Sequence, residues 1–112
     1  MPRRFFLTLP LLGLLGPGAT ALAGETVVVA TKDYAFVPAE ITIRPGTRVR
    51  WENRDRRQYH SVYFEQLGDP EGDYFFPGES RERVFDTPGS YPYICEPHWK
   101  THGMTGVVHV VE

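Results

Sequence analysis

Tyr91-Pro92-Tyr93-Ile94-Cys95-Glu96-Pro97-His98-Trp99-Lys100-Thr101-His102-Gly103-Met104-Thr105-Gly106 is the stretch on which the reading of this chain turns. Its first part alternates, so that Tyr91, Tyr93 and Cys95 share one face of a strand. Cys95, the only cysteine of the chain, ends that strand. His98, His102 and Met104 follow on a loop, and a second strand begins beyond them, in which Val108 and Val110 share a face. A loop held between two strands can bring a thiol, imidazoles and a thioether to one point.

The same period-2 alternation recurs upstream. Val27 to Val29 form a β-branched run. Ile41 and Ile43 alternate with Thr42 and Arg44, and Val49 and Trp51 with Arg48, Arg50 and Glu52. In the segment His60-Ser61-Val62-Tyr63-Phe64, Val62 and Phe64 are expected on the core side. Val84 and Phe85 lie in a further short run. Turn signals separate these segments: Val37-Pro38, Pro45-Gly46, Asp69-Pro70, Pro77-Gly78 and Pro88-Gly89. No long amphipathic helix is expected, and residues 65–76 have room for a single helical turn. About seven short strands at this spacing predict a sandwich of two antiparallel sheets.

With 112 residues there is length for one domain, and 41% hydrophobic residues suffice for a modest core. A single cysteine excludes an internal disulfide framework. A net charge of −2 argues against a nucleic-acid partner. Residues 1–23 read as an export signal: Arg3-Arg4, an apolar run from Phe5 to Leu15, a break at Pro17-Gly18, and a small-x-small site at Ala21-Leu22-Ala23. The arginine pair before Phe5-Phe6-Leu7 also resembles a twin-arginine signal. Either route predicts a periplasmic protein, with a single domain over residues 24–112 and no membrane attachment after cleavage. Removing Arg3 and Arg4, the only charged residues of that segment, moves the net charge to −4. So small an exported domain without disulfides is a candidate for metal stabilisation.

The donor chemistry suits copper. Thiolate and imidazole hold a borderline-soft ion, and a thioether adds a preference for Cu(I). Two imidazoles, one thiolate and a weak axial thioether constitute a blue-copper electron-transfer site. His60, at the start of a strand after the polar loop Asn53 to Tyr59, is the natural second imidazole.

At this point the sequence resembles the cupredoxins, the plastocyanin, pseudoazurin and amicyanin group of type 1 copper proteins. Phe36-Val37-Pro38-Ala39-Glu40-Ile41-Thr42-Ile43 with Pro45-Gly46 resembles the family's first conserved region. Val49 to Asp55 followed by His60-Ser61-Val62 resembles its first ligand loop. Pro77-Gly78-Glu79-Ser80 resembles a later turn, Phe85 to His98 the second ligand region, and Gly103 to Val108 the closing segment. The resemblance implies a Greek-key β-sandwich of about seven or eight strands. It implies one copper held equatorially by His60, Cys95 and His98 and axially by Met104. It also implies a monomer that passes single electrons between protein redox partners and is not an enzyme. In the family the later histidine reaches the surface through an apolar patch, for which Pro97, Trp99 and Gly103 are candidates. Five residues, Trp99 to Gly103, separate His98 from Met104, one more than is usual, and the first loop is about one residue longer. Ser61 stands where the family commonly has an asparagine that ties the two ligand loops together.

Other readings compete. His102 could replace Met104, join it, or bind a second ion, and together with the loop lengths it leans toward a copper-tolerance protein that binds or oxidises excess copper. A structural zinc site from His60, Cys95, His98 and His102 lacks the usual second cysteine. A Cys–His nucleophilic enzyme needs a thiolate open to substrate, and Cys95 falls on the face expected to be buried. The arginines from Arg44 to Arg57 and the acidic residues from Glu65 to Asp86 read either as solvated surface or as a docking patch for an acidic partner. His109 alternates with Val108 and Val110 and is expected at the surface.

Overall fold

The computed structural model describes Thr20, Ala21 and residues 24–112. The export-signal reading of residues 1–23 falls outside the described residues apart from Thr20–Ala21, which form the short strand β1. Beyond it come β2 (Thr26–Lys32), β3 (Ala35–Val37), β4 (Glu40–Ile43), β5 (Thr47–Asn53), β6 (His60–Ser61), β7 (Tyr74–Phe75), β8 (Ser80–Phe85), β9 (Gly89–Ile94) and β10 (Thr105–Val110). A 3-10 turn occupies Glu65–Leu67, and a one-turn helix, α1, occupies Trp99–His102. Seven of the strands have three residues or more, in keeping with the all-β sandwich expected from sequence.

One sheet runs β1-β4-β10-β9, the other β3-β2-β5-β8, and β6 and β7 form a separate two-stranded ribbon. Both large sheets are mixed rather than antiparallel: β2 pairs with β5 in parallel, as β4 does with β10. The sheets depart from the antiparallel pair expected from sequence for a topological reason. Between β2 and β5 the chain turns back as β3 and crosses to the other sheet as β4, so β5 returns in the direction of β2.

Alternation places the core. In β2, Val27, Val29 and Thr31 point inward while Val28 faces solvent. In β5, Thr47, Val49, Trp51 and Asn53 are buried, and the arginines between them lie outside. Arg48 and Arg50 both reach Glu82 across the β5–β8 pair, at 3.0 and 2.7 Å, so these members of the arginine cluster are partnered on a strand face. Trp51, Phe64, Phe85 and Tyr93 interlock edge to face or tilted, and burial of each such ring is worth about 1.5–3 kcal/mol. Trp51 Nε1 donates to Tyr93 Oη at 3.0 Å. Tyr93 lies opposite Gly106 in the β9–β10 register, and a Cβ on Gly106 would meet the Tyr93 ring at 2.4 Å. Glycine is therefore required there by packing.

Residues 65–76, which sequence left without an account, strap the open side of the sandwich. The Asp69 carboxylate accepts the Phe64 N–H and pairs with Arg83, while Arg81 reaches Asp73. Tyr74 and Phe75 then close the ribbon on Ser61 and His60.

Candidate metal centre

His60 opens β6, and its pairing with Phe75 buries it completely. Asn53 fixes the loop before it: its side-chain amide donates to the carbonyls of Gln58 and Phe75 at 2.9 and 3.0 Å. Cys95 follows the last residue of β9 and is also fully buried. From there the chain turns tightly, with the N–H groups of His98 and Trp99 both donating to the Cys95 carbonyl. α1 carries the loop outward until Gly103, whose φ of 64° is the left-handed conformation that ends helices at glycine. Met104 returns the chain to the interior at 1% exposure, and its carbonyl accepts the Cys95 N–H at 3.1 Å. The loop is thus closed at its base, with Met104 tied by its backbone to Cys95.

Cys95 Sγ lies 3.7 Å from His60 Nδ1 and 3.5 Å from His98 Nδ1. All three donor atoms lie within 4.8 Å of one another. For metal–nitrogen and metal–sulfur bonds of about 2.0–2.3 Å, a trigonal or tetrahedral array needs N···S separations of about 3.5–3.8 Å. The observed spacing meets that requirement, and two imidazoles with one thiol suit copper. Backbone and outer contacts hold the thiol further. Ser61 N–H donates to Cys95 Sγ at 3.3 Å, and Ser61 Oγ accepts the Glu96 N–H at 2.9 Å. Ser61 therefore joins the two ligand loops despite its short side chain. It does so because it is 1% exposed, facing inward, where strand alternation had put it outside and Val62 inside. Only His60 and Ser61 of the expected strand 60–64 are in β6, and Tyr63 makes an isolated bridge to Ile94.

Burial pushes the Cys95 thiol up from its ordinary pKa; the contacts from Ser61 and His98 offset part of that shift, and the Glu96 charge adds to it. His98 moves the other way. Burial, then the neighbouring His60 and His102, disfavour its protonated form, with Asp55 opposing. Both neutral forms must meet a metal, which takes cysteine as thiolate and histidine as neutral imidazole.

His98 is 9% exposed, against none for His60 and Cys95, and aromatic rings surround it. Tyr34 meets its ring edge-on at 4.9 Å, and Tyr59 lies at 6.3 Å. Tyr59 in turn touches Tyr74 and Phe76, so these three form a group of exposed aromatic side chains, and Trp99, next to His98 in the chain, is exposed as well. His102 does not join the three donors. Its ring stacks on Tyr34 at 3.7 Å and 6°, and its Nδ1 lies 2.8 Å from Thr101 Oγ1. Tyr34 reaches both histidines from the two-residue turn Asp33-Tyr34 between β2 and β3, where both residues have positive φ, 55° and 60°. That geometry matches the twist of a tight hairpin but is rarely taken by tyrosine. His109 is half-buried at the surface as expected, between Ser90 Oγ at 2.8 Å and Glu40 Oε2 at 2.5 Å.

Sequence reasoning missed Asp55, whose carboxylate Oδ2 contacts His60 Nε2. It also missed Tyr34 and the Tyr59–Tyr74–Phe76 group. Asp55 had a weak signal, as the only acidic residue in the loop between Asn53 and His60. Tyr34 had none, because its role arises from a contact between distant segments.

Comparison with known proteins agrees with this geometry. The family described as copper binding proteins, plastocyanin/azurin family, matches residues 23–111. The chain is 40% identical over 85 residues to the chloroplastic plastocyanin of Tetradesmus obliquus, covering 67% of this chain and 57% of that protein. It thus spans little more than half the length of that relative. The crystal structure of amicyanin from Paracoccus versutus superposes with a TM-score of 0.62 at 26% identity, over 77% of this chain and 81% of that one. A copper-containing nitrite reductase from Thermus scotoductus gives a TM-score of 0.64 at 27% identity, covering 78% of this chain but 22% of the reductase.

Proposed function

The chain belongs to the plastocyanin/azurin family of copper-binding proteins, and on that premise we propose that it carries single electrons between protein partners through one copper held by His60, Cys95, His98 and Met104. The observation that carries this reading is the buried set of His60, Cys95 and His98 donors at 3.5 and 3.7 Å around one point, with Met104 tied beside Cys95.

Bound there, copper supplies the Cu(I)/Cu(II) couple. The protein's part is to hold the donors still. His60 and Cys95 sit in the wall between ribbon and sheet, Ser61 joins their loops, and the Cys95–Met104 backbone bond fixes the base of the third segment. Donors that cannot relax between oxidation states lower the reorganisation cost of electron movement. His98 is the donor closest to solvent, so electrons enter and leave at its edge. Tyr59, Tyr74, Phe76 and Trp99 offer an apolar surface for a partner beside it. Pro97 and Gly103 flank that exit. The domain spans residues 24–112, works as a monomeric carrier rather than an enzyme, and follows export to the periplasm. The shared fold with nitrite reductase does not weigh against a carrier, since the likeness covers a small part of that protein. Stacking of His102 on Tyr34 gives the copper-tolerance alternative no added support.

The test is addition of Cu(II) to purified protein, followed by visible absorption, electron paramagnetic resonance and voltammetry. An intense thiolate-to-copper band and a reversible one-electron wave are expected, and Cys95→Ser abolishes the band. A band that survives in Cys95→Ser removes Cys95 from the site, and copper lost on each reduction cycle rules out a carrier.

A further inference from the structure

We propose that Asp55 is a positioning residue for the copper site: its carboxylate holds His60 by Nε2, turns His60 Nδ1 toward Cys95 and strengthens that nitrogen as a donor to oxidised copper. The inference rests on the copper reading above.

The carboxylate is built in, not a passing surface contact. The Asp55 side chain is 9% exposed, and the His60 ring it meets is fully buried. Both of its oxygens are engaged. Oδ2 takes His60 Nε2, and Oδ1 accepts the Asp33 N–H at 3.2 Å. The Asp55 N–H donates to Asn53 Oδ1 at 3.0 Å, so backbone and side chain are fixed together. Asn53 is itself 3% exposed and holds the loop through Gln58 and Phe75. The Asp33 N–H comes from the tight β2–β3 turn, whose positive φ angles direct it at the carboxylate. Three separate segments thus converge to fix one acidic side chain against one imidazole.

The chemistry follows from that contact. A carboxylate can only accept, so His60 must carry its proton on Nε2, which leaves the Nδ1 lone pair free and aimed at Cys95. A carboxylate held on Nε2–H leaves more electron density on Nδ1 for a metal. A charge-assisted bond shielded from water is stronger than a neutral one. A better nitrogen donor and a nearby negative charge both favour Cu(II) over Cu(I). A loop-bracing role alone predicts a loss of stability and no change in the balance between oxidation states.

The experiment uses the full chain loaded with copper, as wild type, Asp55→Asn and Asp55→Glu. In Asp55→Asn the thiolate band persists, Cu(II) affinity falls about 10–100-fold, and Cu(I) affinity falls less. The reduction potential therefore rises by about 59 mV for each tenfold change in the ratio of the two affinities. Asp55→Glu, which keeps the charge, restores part of the wild-type potential. An Asp55→Asn protein with the band intact and an unchanged potential overturns the proposal. Should that variant not fold, nitrogen-resolved NMR of the wild-type Cu(I) protein decides: a slowly exchanging Nε2–H on His60 supports the proposal and a rapidly exchanging one refutes it. Absence of a thiolate band from the wild type itself would instead sink the copper reading.

Discussion

Ser61→Ala isolates how the two ligand loops are joined. In the wild type the Ser61 hydroxyl oxygen accepts the Glu96 N–H at 2.9 Å, in a position 1% exposed to solvent. Alanine keeps the backbone contact from residue 61 to Cys95 Sγ but leaves the Glu96 N–H without its acceptor. The Glu96 N–H is only part-buried, so losing its acceptor should cost about 1 kcal/mol, the low end for an orphaned donor, and the oxygen leaves too small a gap for any large cavity cost. The copper-free protein should lose that amount in urea denaturation, read as a lower midpoint at constant slope. Ser90→Ala is the control. Its hydroxyl also bonds a neighbour, His109, but at an exposed position, so its loss should stay within about 0.5 kcal/mol. In the copper-loaded Ser61→Ala protein the Cys95 segment is freer relative to His60, and the thiolate band should shift or weaken. A Ser61→Ala protein no less stable than Ser90→Ala would refute the reasoning, because the loops would then be held by something other than this hydroxyl.

Gly106→Ala should destabilise the fold by about 1–3 kcal/mol through overpacking, since its Cβ would fall 2.4 Å from the Tyr93 ring; an unchanged thermal midpoint would contradict that contact. The copper-free protein should lose stability as pH falls below the ordinary histidine range of about 6.5, because burial lowers the His98 pKa and the unfolded chain then binds the extra proton. It should also lose stability as pH rises past the ordinary thiol range, because burial raises the Cys95 pKa and the unfolded thiol ionises first; denaturation midpoints across pH check both arms. For the same reason, copper binding near neutral pH should release the Cys95 proton, measurable by calorimetry in buffers of different ionisation enthalpy. His102→Ala should leave the visible and paramagnetic spectra of the copper protein unchanged, as that ring is engaged with Tyr34 and Thr101; altered nitrogen hyperfine structure would make it a ligand.

Much of the site could be read from residue order because its chemistry is carried by rare residues. Cys95 is unique, and only four histidines exist from which to choose partners. The alternation in β4, β5 and β9 likewise announced which side chains face inward. Reading failed where tertiary contact overrides local pattern. Ser61 is buried although a period-2 reading sent it outward, because the strand stops after two residues and its hydroxyl has a backbone donor waiting inside. The parallel pairing of β2 with β5 is set by a crossover, which leaves no mark on either strand. Tyr34 meets His98 and His102, and Asp33 braces Asp55, only because the β2–β3 turn folds beside the two ligand loops. Nothing in the vicinity of either residue in sequence encodes that meeting.

The segment from Cys95 to Met104 leaves the sheets and rejoins them at a single backbone bond, while β9 and β10 continue paired on the far side, Ile94 opposite Thr105. Such a detour behaves as a cassette. Residues could be gained or lost inside it without shifting the register of β9 against β10, so the end of the sandwich would keep its scaffold. A change of length between His98 and Met104 would alter how the thioether is presented to the other donors while leaving the paired strands on either side where they are.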